Sequence, residues 1–262
     1  MNVSYVYTVS DAGLLIPKAI RSLKSLRRYV DKKDILVFFT PPTSKLGYAR
    51  LSRLAVVREV NNLTKPFVFA GERGLGRYGE KCHLCDVPSS TVVFLDADTI
   101  VKKDLAPLLK GDFDFSARRQ FPTREKAAKE IDEKTWLQMF KKAGKKPVPM
   151  PNAGFMIFKN SCHRKIKNQW LGYVNDDSLP NACSRLNPKE QTALALSLSE
   201  MKIRWLSVYE HAFIWLGEEK VDTYVLHGFS PIPKPFEHVG YVLEKSRVYA
   251  FTQRLANLLA VV

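Results

Sequence analysis

The run Val92-Val93-Phe94-Leu95-Asp96-Ala97-Asp98-Thr99-Ile100-Val101 decides how the rest of the chain reads. Four apolar residues without a polar break have the pattern of a strand buried on both faces of a parallel sheet. The run then delivers Asp96 and Asp98, and two carboxylates at the end of a buried strand need a cation, because an unpaired buried charge is too costly. A divalent metal answers that need. In open parallel sheets the ligand crevice lies at the carboxyl ends of the strands, where this pair would stand. Hard carboxylate oxygens suit Mn2+ or Mg2+, ions that reach proteins through one or two carboxylates plus the oxygens of a diphosphate, so the pair implies a nucleotide. Two other readings compete. In one, Asp98 caps the next segment of chain and Asp96 pairs with a surface lysine. The other is a phosphohydrolase nucleophile of the form DxDx(T/V), but Thr99 comes one place early and Ile100 fills the required position.

Upstream, residues 3 to 9 alternate and are rich in β-formers. Ser10-Asp11-Ala12-Gly13 then breaks the pattern before an amphipathic helix from about Ile16 to Tyr29. Ile35 to Phe39 reads as a second buried strand, ended by Pro41-Pro42, with a helical segment around Arg50 to Val60 and a third strand from Pro66 to Ala70. Strand and helix in alternation are the signature of parallel βαβ units. Residues 71 to 81, GERGLGRYGEK, are glycine-rich and basic but lack dinucleotide-fingerprint spacing. Two readings stay open for them: a surface loop, or a flexible stretch placing Arg77 and Lys81 near phosphates.

Downstream, Asp104 can cap a short helix through Leu109, and Phe113 to Ala117 reads as another strand. Residues 118 to 146 are charged and largely helical, with Trp136, Leu137 and Phe140 as their apolar stripe. Pro151-Asn152-Ala153-Gly154 precedes the apolar Phe155 to Phe158. Its asparagine amide can both donate to and accept from sugar hydroxyls, and the bland alternative is an Asx turn. In Asn187-Pro188-Lys189-Glu190-Gln191, proline near the start and Glu190 in the first turn are sound helix chemistry. Tyr224 to Phe236, YVLHGFSPIPKPF, places His227 after a short apolar run.

With 41 basic and 26 acidic residues among 262, the formal charge is +15, a field that attracts nucleotides, nucleic acid or anionic lipid. Basic residues are spread along the chain without a recognised nucleic-acid motif, so that partner class is disfavoured. Cys82, Cys85, Cys162 and Cys183 are too few for a disulfide scaffold and point to reduced thiols in a cytoplasmic compartment. The Cys82-x-x-Cys85 pair invites a zinc reading that no second pair supports; at this spacing both face a core more simply. No secretory signal is visible, nor a run of about 18 apolar residues that could span a bilayer. In residues 243 to 262, Val248, Phe251, Leu255, Leu258 and Leu259 share one helical face beside Lys245, Arg247 and Arg254. Such a helix can cover the core or lie on an anionic membrane.

The segment Phe94 to Leu105 resembles the metal-binding segment of glycogenin-like (family 8) glycosyltransferases. Similar in order are Asn152-Ala153-Gly154, Glu190-Gln191 and the HxxGxxKPW-like His227 to Phe236. In the last of these glycine directly follows the histidine, Lys234 lies one place further on and Phe236 replaces tryptophan. The resemblance runs from residue 3 to about 236. It implies an α/β GT-A-like fold: a Rossmann-like, mostly parallel nucleotide-binding half to about residue 117, a mixed acceptor half over 118–236, and a C-terminal helix over 237–262, in one domain. It also implies a nucleoside diphosphate sugar donor, a hydroxyl acceptor (glycan, lipid or protein) and retention of configuration. Asp96, Asp98 and His227 would hold the metal. Gln191 would line the reacting face and Lys234 the departing phosphate. Asp11, Arg77, Lys81, Asn152, Ala153, Gly154, Glu190 and Gly228 would contact the donor. A nucleotidyltransferase of similar topology is the runner-up, although SDAGLL is a poor version of the glycine-rich loop such enzymes carry after strand one.

Overall fold

A computed structural model describes residues 2–11, 15–64, 67–69, 72–76, 78–121, 123–179 and 189–229. In chain order the elements are β1 (Val3–Ser10), α1 (Leu15–Leu26), β2 (Ile35–Thr40), α2 (Lys45–Ser52), β3 (Val56–Glu59), β4 (Phe67–Phe69), β5 (Glu72–Gly76), β6 (Thr91–Leu95), β7 (Thr99–Val101), β8 (Phe115–Arg119), α3 (Arg124–Glu130), α4 (Glu133–Lys142), β9 (Pro151–Phe158), α5 (Cys162–Asn175), α6 (Lys189–Ser197), β10 (Ile203–Trp205), β11 (His211–Phe213) and β12 (Val225–His227). Short 3-10 segments at Tyr78–Asp86 and Ala106–Leu109 flank the strand that ends in the aspartates.

Seven strands form a mostly parallel sheet in the order β10-β8-β9-β6-β1-β2-β3, with β9 antiparallel to both of its neighbours. Every residue of β6 is buried, as the unbroken apolar run requires of a strand with partners on both edges. Two expectations need correction. The helix placed around residues 50 to 60 lies earlier, because Ser44 accepts a hydrogen bond from Gly47 N and starts α2 there; the β-branched Val56-Val57 pair is extended and joins β2 in parallel. Among the described residues the strand near 66 to 70 does not enter the main sheet: β4 pairs with β5 in an antiparallel ribbon.

One compact unit comprises Met1–Val6, Asn61–Leu95 and Ala106–Ser207. Its interior holds Phe94, Phe115, Phe155, Phe158 and Trp170, each under 2% exposed, and burial of such a ring contributes about 1.5–3 kcal/mol. Against α4 a second cluster gathers Trp136, Met139, Phe140, Met150, Ala195 and Leu196. Leu137, expected in that stripe, is 46% exposed; Met139 occupies the inward position. The other unit comprises Tyr7–Val60, Asp96–Leu105 and Val208–Val262. Its helix α1 buries Ile16, Ala19, Ile20, Leu23 and Leu26 at helical spacing, and β11, β12 and β7 form a three-stranded sheet. Among the described residues no helix is long and apolar enough to cross a membrane. The stretch 243–262 lies outside the described residues, as do Ala12–Leu14 and Cys183.

Candidate active site

β6 stops at Leu95, and the chain turns through Asp96-Ala97-Asp98 before β7. The turn closes on itself: Thr99 N and Thr99 Oγ1 both donate to the Asp96 carbonyl, at 3.2 and 2.8 Å. β12 runs antiparallel to β7 with His227 opposite Thr99, so the ladder carries the histidine to the aspartates. Gly228 N and Phe229 N then donate to the Asp98 carbonyl at 3.1 and 2.9 Å. His227 Nε2 lies 3.3 Å from Asp98 Oδ1 and 3.8 Å from Asp96 Oδ2. One ligand atom from each of the three residues falls within 4.8 Å of the others.

Donors ~2.1 Å from an octahedral ion stand about 3.0 Å apart when adjacent and about 4.2 Å apart when opposite. The observed spacings of 3.3 and 3.8 Å lie between those two values. The donor set fits too, with two hard carboxylates, one imidazole and room on the partly exposed aspartate side for further oxygens. His227 is 6% exposed, and its buried Nδ1 has no hydrogen-bond partner among the described residues.

Aromatic rings hold this histidine. His211 stacks on it with centroids 5.4 Å apart, Trp215 meets it edge-on at 5.0 Å, and Phe213 stacks on Trp215 at 4.5 Å. None of the three was singled out from sequence; the signal that could have found them is the period-two spacing of His211, Phe213 and Trp215. Gly228 has φ +88, and a Cβ there would lie 2.7 Å from Trp215 Cε3, so both backbone and packing require glycine.

In the other unit, Lys81 is 6% exposed and its Nζ donates to the Ala153 carbonyl at 3.1 Å. The glycine-rich segment before it is no featureless loop, since β5 and the 3-10 helix occupy most of it. Asn152-Ala153-Gly154 does not precede the strand as expected but forms the buried start of β9, which pairs with β8 as far as Arg119 and Pro151 through a register shift after Ala117. Asn152 Nδ2 donates to Gln120 Oε1 at 2.7 Å, and its Oδ1 accepts from Gly154 N at 2.9 Å. The amide is thus already engaged at both ends, and the second bond is the Asx-type contact of the bland alternative. Glu190 and Gln191 open α6. The Glu190 carbonyl accepts from Trp170 Nε1 at 3.1 Å, while the buried amide oxygen of Gln191 has no hydrogen-bond partner among the described residues.

Cys82, Cys85 and Cys162 are free and buried, and burial pushes the Cys162 thiol up to about 12. Such thiols are inert core residues. Among the described residues no cysteine joins a group of metal-ligating side chains.

No family model and no curated protein matches the chain. Solved structures do. The galactosyltransferase LgtC, in complex with donor and acceptor sugar analogs, matches over 87% of this chain and 87% of its own, with 13% identity and a TM-score of 0.57. The apo form of mouse xyloside xylosyltransferase 1 matches over 89% of this chain and 100% of its own, with 15% identity and a TM-score of 0.52. The fold is that of the GT-A glycosyltransferases. GlyE of Streptococcus pneumoniae TIGR4 shares it at 14% identity and a TM-score of 0.57 over 88% of this chain, which spans about half (55%) of the GlyE chain. Of the GT-A site residues expected from sequence, Asp96, Asp98 and His227 come together, and Lys81 meets Ala153. Asp11 follows directly on β1, its backbone N–H bonded to the Pro42 carbonyl at 2.8 Å. Arg77 and Lys234 lie outside the described residues.

Proposed function

We propose that the protein is a metal-dependent glycosyltransferase that moves a hexose from a nucleoside diphosphate sugar to a hydroxyl acceptor, with retention. The observation that carries this reading is the convergence of Asp96, Asp98 and His227 at the end of a buried strand in a GT-A fold. Mn2+ or Mg2+ held there would supply positive charge against the departing diphosphate.

The chain's own groups do the rest. Asp96 and Asp98 fix the charge balance of the diphosphate end, and Lys234 adds a cation to the leaving phosphate. Lys81, Asp11 and Arg77 contact the donor nucleotide; Asn152 to Gly154, Glu190 and Gly228 border the sugar. Gln191 lines the face opposite the leaving group. Its amide oxygen, without a hydrogen-bond partner among the described residues, supports that role, because a weakly nucleophilic amide stabilises positive character at the anomeric carbon better than it attacks. A glutamine-to-glutamate variant of LgtC is an active-site mutant, and Gln191 is the residue we assign to that place.

The acceptor complex of LgtC favours a sugar hydroxyl as acceptor. Free thiols support a cytoplasmic location, and the +15 charge with the basic, apolar stretch 243–262 supports contact with an anionic membrane. The test is a screen of nucleotide sugars with Mn2+, reading release of nucleoside diphosphate. One donor is expected to turn over, and Asp98→Asn to abolish Mn2+-dependent binding of nucleoside diphosphate in calorimetry. Wild-type affinity in that variant would sink the reading. Release of pyrophosphate instead would identify a nucleotidyltransferase.

A further inference from the structure

Helix α1 carries two serines on its buried face, Ser22 at 0% and Ser25 at 9% exposure, among Ala19, Leu23 and Leu26. A buried hydroxyl left without a partner costs about 1–3 kcal/mol, so each must be engaged. Both point into the segment that bears the aspartates. Ser25 Oγ accepts from Val101 N at 2.9 Å and donates to the Ser22 carbonyl at 2.6 Å. Ser22 Oγ lies 2.9 Å from Thr99 Oγ1 and 3.0 Å from the Tyr7 hydroxyl.

The direction of these bonds is set from the far end. The Asp96 carbonyl can only accept, so the single Thr99 hydroxyl proton goes to it, at 2.8 Å. Thr99 Oγ1 must then accept from Ser22, and Ser22 in turn from Tyr7. Burial pushes the Tyr7 phenol well above its ordinary value, so it keeps the proton it donates. The result is a one-way chain, Tyr7 to Ser22 to Thr99 to the Asp96 carbonyl, in which every hydroxyl donates once. Three elements, β1, α1 and β7, are joined through it beneath the turn that presents both carboxylates.

We propose that Tyr7, Ser22 and Thr99 are positioning residues for divalent-ion binding: their directed hydroxyl chain fixes the Asp96–Thr99 turn and with it the spread of the two carboxylates. The inference rests on the metal site of the proposed function. It goes further in predicting which ion suffers when the chain is broken. Mg2+ demands near-ideal octahedral geometry, so a loosened turn loses Mg2+ more than Mn2+.

The test uses the full chain and reads unbound Mn2+ by electron paramagnetic resonance, with Mg2+ added as competitor. Thr99→Val keeps the shape and deletes the link; Thr99→Ser restores it; Tyr7→Phe removes the far end and serves if Thr99→Val fails to fold. Thr99→Val and Tyr7→Phe are expected to bind Mn2+ roughly three- to tenfold more weakly, the scale of one buried hydrogen bond, with a larger loss for Mg2+. Thr99→Ser should stay within about twofold of wild type on the same scale. Wild-type binding together with unchanged affinity in Tyr7→Phe and in folded Thr99→Val overturns the positioning role alone. Absence of Mn2+ binding by the wild type overturns the metal reading and this inference with it.

Discussion

His227 meets the aspartates through a ring hemmed in by His211 and Trp215, and the residue after it has no room for a side chain. Gly228→Ala therefore meets two penalties, a left-handed backbone and a clash with the indole. Together they are expected to lower stability by about 2–3 kcal/mol in thermal denaturation. Adding Trp215→Ala should return the packing share and leave the backbone share; no recovery in the double variant would mean that the clash is not the cause. At this scale the aspartates were legible because two charges at the end of an apolar run are expensive unless paired. His227 was legible only by its order among motifs. Nothing local marks the histidine, since its position is set by a ladder to Thr99 that sequence does not display. The engagements of Lys81 with Ala153 and of Asn152 with Gln120 were not legible, for the same reason.

The unbroken apolar runs of β2 and β6 and the alternation of β1 were readable almost to the residue. Those that failed were short. α2 is eight residues long and fixed by its cap, and β4 carries no cue to which edge it would join. The junction of β6 with the 3-10 segment before it depends on a side chain of α5. His163 is fully buried, its Nε2 lies 3.0 Å from the Val87 carbonyl, and its Nδ1 has no hydrogen-bond partner among the described residues. Burial holds its pKa below the ordinary value, and the adjacent Arg164 adds to this. The folded state thus keeps the ring neutral while the unfolded chain takes up a proton near pH ~6.5. Stability contributed by His163 is present above that pH and falls as the pH drops through it, because the unfolded state then binds more protons. Melting between pH 7.5 and 5.5, conditions that bracket about 6.5, should show a smaller loss for His163→Gln than for wild type; equal losses would place the proton elsewhere. Glu80 acts lower on the scale. Burial would raise its pKa, but hydrogen bonds from His83, Leu63 N and Thr64 outweigh this and hold it below the usual carboxylate range. Its share of stability is lost only as the pH falls through about 4.3 and below.

For the whole molecule, binding is readable as heat stability. A ligand near a hundred times its dissociation constant adds about 2.7 kcal/mol, which for a chain of this size is a rise of roughly 5–10 °C in Tm. Mn2+ with the cognate nucleoside diphosphate should produce that rise in wild type and not in Asp98→Asn; equal rises would show that binding does not pass through the aspartates. The fold was legible at 13–15% identity to solved structures because strand order depends on burial and alternation, which survive when individual residues change. Charge was legible as a quantity and not as a place: +15 is a sum, and where it gathers depends on packing. The pairing of β7 with β12 has a consequence in time. A ribosome releases Asp96 and Asp98 well before His227, so for a long stretch of synthesis β7 waits without β12 and the aspartates lack His227. On the proposed metal site the full set of three ligands forms only when the late strand arrives, which would make metal capture a report that the chain has been read through to β12.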